Sequence, residues 1–192
     1  MKLKHVNTGL FVATLAVCAY IIVAPFMPAA LFWFEAHTTD RLRQLSADLH
    51  LPAGNIQATP SDNRLVIPSM LLNTPINEGS TLAALRTGPW RRPNGSTPDK
   101  GGNTVIAGHR FTYTNPRGIF YYLDKIHVGD EIGIFWQGKR YVYKVTSTET
   151  VPPTDVAIEA PTKNAQLTLY TCTPLWLPKN RLVVIAQLEK SS

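Results

Sequence analysis

Residues Leu167 to Leu188 read LTLYTCTPLWLPKNRLVVIAQL. Leu167 to Thr171 is a β-branched and aromatic run that ends at Cys172. Pro174 and Pro178 mark a connection, and Arg181 opens a second apolar run from Leu182 to Leu188. Runs of this kind bounded by Pro read as strands. The segment is therefore a strand, a Cys at its end, a loop, and an Arg at the start of the next strand. If the two strands pair antiparallel, the thiol and the guanidinium face each other across the ladder. A thiol beside a fixed cation has a depressed pKa and is nucleophilic. The base such a nucleophile needs is offered by His109 in NTVIAGHR, just past another β-branched run.

Composition narrows the classes. The chain has 192 residues, 44% apolar and 17% charged, which fits a globular domain with an appendage and excludes general disorder. The net charge is +6, but basic residues are scattered, and Arg91-Arg92 and Lys139-Arg140 are the adjacent pairs. No nucleic-acid partner is expected. A moderately basic surface suits an anionic envelope.

From Gly9 to Phe34 no residue carries a formal charge. About 20 apolar residues suffice to span a bilayer as a helix. Lys2 and Lys4 precede the run, whereas Glu35 and Asp40 follow it. The expected layout is a cytoplasmic tail at 1–8, a transmembrane signal anchor at 9–34 with Pro25 and Pro28 ending or kinking it, and a stalk at 35–62. The remainder, 63–190, would be a domain outside a single-pass cell membrane. The alternative is a cleaved signal peptide, against which no small-x-small site ends the run. Cys18 lies inside the anchor, so Cys172 is the lone exported thiol and has no disulfide partner in the domain. A lone Cys is otherwise a small core hydrophobe; its place at a strand end favours access.

Within the domain, Arg64–Pro68, Met70–Ile76, Thr104–Ala107, Glu131–Trp136 and Arg140–Glu149 read as strands, the last two around a Gln137-Gly138-Lys139 hairpin turn. Gly79–Arg86 reads as one or two helical turns, Gly88–Gly102 as loop, and Ile119–Ile126 as a short amphipathic helix. Val151–Gln166 is a long Pro-marked connection. Residues 37–60 carry a brief amphipathic pattern (Leu42, Leu45, Leu49) that fades into a Pro, Gly and Asn stretch, a linker more than a domain. Seven or eight short strands without a βαβ rhythm indicate a closed or sandwich-like, mainly β domain.

The order NTVIAGHR, GIFYYLDKIHVGDEI, LTLYTC and an Arg nine positions after the Cys resembles the sortases, membrane-anchored cysteine transpeptidases of Gram-positive-type envelopes. The TLxTC signature stands as Thr168-Leu169-Tyr170-Thr171-Cys172, and the resemblance runs from about Arg64 to Leu188. It implies a closed eight-stranded β-barrel with a few short helices behind one transmembrane helix. It also implies Cys172 as nucleophile, His109 as general acid/base, and Arg181 as substrate-holding and oxyanion-stabilising cation. Thr171 and Thr173 would line the substrate and oxyanion site, and the Val151–Gln166 connection would form a groove wall. The partners implied are secreted proteins with a C-terminal LPxTG- or LAxTG-like sorting signal and an amine of peptidoglycan precursor or pilin. The TCTP start occurs in pilus-assembling sortases. The PLW and KNRLVV stretches and the lack of an acidic-Pro-aromatic lid motif between His37 and Arg64 point to a protein-anchoring enzyme of the class C, D and E group.

The chemistry stands without the family. Passing an acyl group from a peptide to an amine needs a nucleophile that also leaves well, which a thiolate does. No cofactor and no metal are expected, since Asp124, Asp130, Glu131, Asp155 and Glu159 are dispersed without ligand spacing; a calcium between loops at Glu159 is the weaker alternative. His37, His50 and His127 sit in stalk or turn contexts as bystanders. The competing readings are a hydrolase with the same machinery, a pilin-polymerising enzyme, and a non-catalytic envelope-binding barrel.

Overall fold

The computed structural model describes residues 2–24, 26–38, 40–50, 60–112 and 117–191. Pro25, the 51–59 stretch and part of the Arg110–Arg117 turn lie outside the described residues. The chain divides into two units, 1–41 and 42–192.

The first unit holds α1 (Lys2–Val23) and α2 (Met27–Thr38). Among the described residues no single helix is long and apolar enough to cross a membrane. The stretches Asn7–Val23 and Met27–Thr38 meet length and composition only together, as a pair bent by 59°. The expected anchor over 9–34, ended or kinked at its prolines, falls on these two helices. Pro28 sits in the first turn of α2, where its missing N–H costs nothing.

The second unit carries α3 (Arg41–His50) from Leu42 onward and eight strands. These are β1 (Arg64–Ile67), β2 (Leu72–Pro75), β3 (Trp90–Arg91), β4 (Asn103–Ala107), β5 (Glu131–Trp136), β6 (Lys139–Val151), β7 (Gln166–Thr173) and β8 (Asn180–Ser191). They form one curled sheet in the order β2-β1-β5-β6-β8-β7-β4-β3. The expected mainly β, eight-stranded architecture is present. Its closure differs, because no ladder joins the edge strands β2 and β3. The edges meet at a single bridge, Asn77 to Trp90, with Asn77 donating to the Pro89 carbonyl at 2.8 Å. The result is a half-barrel. The reason is length: β3 has two residues within a Pro- and Gly-rich loop, too short to build a ladder on both sides.

The hairpin at Gln137-Gly138 forms as its residues dictate. Both have positive φ (50° and 75°), giving a two-residue turn whose twist matches the strands it joins. The Ile119–Ile126 helix does not form. Its apolar spacing is met by successive turns and a short 3₁₀ segment, Leu123–Lys125. Phe120 is needed beneath the sheet, fully buried, with its N–H given to the His109 carbonyl at 2.9 Å.

Strand alternation sorts the faces. Inside the curl, Leu65, Ile106, Phe120, Ile134, Leu169 and Val184 belong to one buried cluster. Outside, Leu45 and Leu49 of α3 pack on Val66, Phe135 and Val142. Residues read as linker are thus part of the domain, and helix and sheet approach closely. A Cβ at Gly133 would lie 2.2 Å from Leu49 Cδ2, so a larger residue there would displace the leucine. The contact falls on β1, β5 and β6, the opposite end of the strand order from β4. The Leu49→Ala substitution should destabilise the domain by about 2–5 kcal/mol, as for other buried leucines. Urea unfolding checks this; a linker leucine would cost nothing.

Candidate functional site

β7 and β8 pair antiparallel, with Cys172 directly opposite Arg181. Leu167, Leu169, Leu182 and Val184 point into or pack against the core, so Cys172 and Arg181 both belong to the outer face. The thiol is exposed. This is the arrangement the alternation of residues implies.

His109 reaches the same place from β4. β4 and β7 run parallel, and their register ends at Ala107 opposite Tyr170. Two residues further along both chains stand His109 and Cys172, on strands about 4.8 Å apart. Two hydrogen bonds carry the register past the end of the ladder. Gly108 N–H donates to the Tyr170 carbonyl (3.1 Å), and Thr171 Oγ1 donates to the Gly108 carbonyl (2.7 Å). The His109 carbonyl in turn accepts the Phe120 N–H. Gly118 presses against it so closely that a Cβ would stand 2.3 Å from His109 O. Gly118 is thus a place where backbone touches backbone, whereas Gly108 leaves room for the Phe120 ring.

Thr171 is buried, and its hydroxyl is committed to the Gly108 carbonyl. Its side chain fixes the His109 strand end on the inward side of β7, not the Cys172 side. Thr173 accepts a hydrogen bond from Arg110 Nη1 at 3.0 Å. Arg110 also donates to the Tyr121 carbonyl (3.3 Å) and pairs with Asp124 at 3.1 Å. This clamp of His strand end, following turn and Cys strand end went unread in the sequence, although the GHR triplet contains its arginine. Asp124, the acid nearest downstream of His109, is the arginine's partner.

Arg181 is stacked over Tyr170, its guanidinium 5.1 Å from the ring centroid. Tyr170 donates its hydroxyl to Glu159 at 2.6 Å. Arg92 donates to both oxygens of Glu159 at 3.1 Å and lies 4.5 Å over the Trp90 ring. Burial first, and then the Glu159 hydrogen bond and charge, hold the Tyr170 hydroxyl protonated far above the ordinary phenol range. The Val151–Gln166 connection lies over the same outer face, where Ile158 packs with Val151 and Val183 against Tyr170 and Ile185. Asn103 Nδ2 donates to the Ile158 and Ala160 carbonyls, both at 3.0 Å. Glu159, the acid weighed for calcium, is held by an arginine and a tyrosine. Phe111 and Trp176 meet edge to face at 4.8 Å, linking the chain beyond His109 to the β7–β8 loop.

Burial depresses the His109 pKa below 6.5. Folding therefore favours the neutral ring, and the associated stability is present above pH 6.5 and lost as pH falls toward the folded pKa. The ring resonance of His109 should titrate with a midpoint below 6.5 by NMR; a midpoint above it contradicts the burial.

A sortase-domain profile matches residues 65–189, nearly all of the curled sheet and its connections. This chain belongs to the sortase family. Sortase A of Listeria monocytogenes is 30% identical over 127 residues, covering 66% of this chain and 56% of that protein. Sortase SrtE1 of Streptomyces coelicolor is 28% identical over 187 residues, covering 85% of this chain and 52% of that protein. The chain spans about half the length of these curated relatives. Among solved structures, Listeria monocytogenes sortase A superposes with a TM-score of 0.61 at 28% identity, covering 68% of this chain and 88% of that one. The likeness covers the curled sheet that carries Cys172 and Arg181.

Proposed function

We propose that the chain is a cysteine transpeptidase that cleaves an LPxTG- or LAxTG-like sorting signal and passes the released carboxyl end to an amine of cell-wall precursor. The observation that carries this reading is the exposed Cys172 directly opposite Arg181 on paired strands, with the β4–β7 register leading to His109 two residues past Ala107. In the first step the Cys172 thiol gives its proton to His109 and its sulfur attacks the scissile carbonyl carbon. The C–N bond then breaks as His109 protonates the departing amine, leaving a thioester. In the second step the acceptor amine loses a proton to His109 and attacks the thioester carbon, and the C–S bond breaks to restore the thiol. Arg181, opposite the sulfur, stabilises the oxyanion in both steps.

An open groove favours anchoring over pilin polymerisation, because the Cys172 thiol is exposed and no described segment lies over it. The bent pair α1 and α2 supports placement as a membrane anchor, with the catalytic domain outside the cell. Thr173, next to the nucleophile in sequence, would contribute to the oxyanion region, and Arg110 holds its hydroxyl.

Tyr170 serves Arg181 as a positioning residue. Tyr170→Phe keeps the ring but frees it from Glu159. It should lower kcat about tenfold with little change in KM, the cost of one hydrogen bond to a charged group. A KM effect alone would assign Tyr170 to substrate binding.

The full chain in detergent, incubated with LPxTG and LAxTG peptides with and without an amine, tests the reading by product mass. Cleavage between Thr and Gly with amine-dependent ligation supports it. Hydrolysis that ignores the amine supports the hydrolase reading.

A further inference from the structure

An acceptor amine must reach His109, and by microscopic reversibility it arrives where the first amine leaves. A cleft of about 480 Å³ opens at His109 between the Leu82–Arg86 turn and the Gly118–Tyr122 turn. Cys172, Tyr170 and Arg181 take no part in its lining. Its walls include Leu72, Leu85 and Tyr122. Apart from His109, the formally charged residues lining it are Arg86 and Arg117. Both are exposed, and among the described residues no aspartate or glutamate lines the cleft. An arginine unmatched by an acid is a fork of donors shaped for a carboxylate.

We propose that this cleft is the acceptor site and that it selects a peptide amine whose chain also carries a free carboxylate. The inference rests on the transpeptidase reading for the role of His109. The apolar walls hold the backbone or methylenes of the acceptor, the arginines hold its carboxylate, and the amine is presented to the imidazole that deprotonates it. A cleft lined with acids would instead favour a polycationic acceptor, and an uncharged one would be indifferent to a carboxylate.

Triglycine and triglycine amide differ only in that charge and serve as probes. Binding is measured by calorimetry on the full-length Cys172→Ala chain in detergent, where no turnover intervenes. Triglycine should bind about tenfold more tightly than its amide, and Arg86→Gln with Arg117→Gln should make the two equal. In ligation by the wild-type chain the same ratio should appear in the acceptor KM. Equal affinities in the Cys172→Ala chain, or a preference that survives the double arginine substitution, would overturn the proposal. Selective binding without any acyl-enzyme on Cys172 in the wild-type chain would support the cleft as a carboxylate site and refute the transpeptidase reading.

Discussion

The Cys172→Ala chain should form no acyl-enzyme and no ligation product, a loss on the order of 10⁴-fold or more in kcat/KM. The size follows from what the proposed mechanism asks of the sulfur: to form the covalent intermediate and then to leave. No neighbour replaces it. Cys18 is the other cysteine and lies in α1, in the other unit of the chain. The serine variant should remain nearly as impaired, because an alcohol is a weaker nucleophile and a poorer leaving group than a thiol. Folding should be unaffected, since Cys172 is exposed and packs into none of the three buried clusters. The check is single-turnover kinetics beside a thermal melt: activity disappears while the melt stays put. Residual ligation above about 1% would relocate the nucleophile.

The second large effect is at His109. His109→Ala should slow both half-reactions by about 10²–10⁴-fold, the usual worth of a positioned acid/base. The proposed mechanism uses one imidazole in both steps, so thioester formation and aminolysis should fall together. Combining His109→Ala with Cys172→Ala should add nothing, as for residues that act as a unit. The substitution removes a half-buried ring beyond the end of β4, so the register set by Gly108 and Thr171 survives it. Thioester formation measured by quenched intact mass separates the steps. A variant that loses only aminolysis would make His109 a base for the acceptor and not the acid of the first step.

How far the sequence could be read depends on the range of the forces involved. The β7–β8 pair is local, and alternation of Leu167, Leu169, Leu182 and Val184 fixes which face Cys172 and Arg181 occupy. The placement of His109 is different. It depends on a parallel pairing between Asn103–Ala107 and Gln166–Tyr170, far apart in the chain, and no periodicity announces which strands become neighbours. Family resemblance supplied it. The Arg110 clamp was hidden for the same reason: its partners, Thr173 and Asp124, come from two other segments. The face taken by Leu45 and Leu49 is a tertiary fact as well. A short amphipathic run on a polar helix resembles a linker until Gly133 provides a slot for Leu49. Ile119–Ile126 shows the reverse error, helical spacing overridden by the requirement that Phe120 fill the core below Gly108. Closure of the barrel was out of reach, because a two-residue strand inside GPWRRPNG gives almost no signal.

The measurement that bears most directly on the central claim is a map of the trapped intermediate. The full-length chain in detergent is quenched with acid during turnover of an LPxTG or LAxTG peptide, digested, and sequenced by mass spectrometry. The acyl fragment, ending in the Thr of the signal, is expected as a thioester on the peptide containing Cys172, with its decay accelerated by added amine. Cleavage at the same bond with Cys172 unmodified throughout, or an adduct on another residue, would contradict the proposed mechanism.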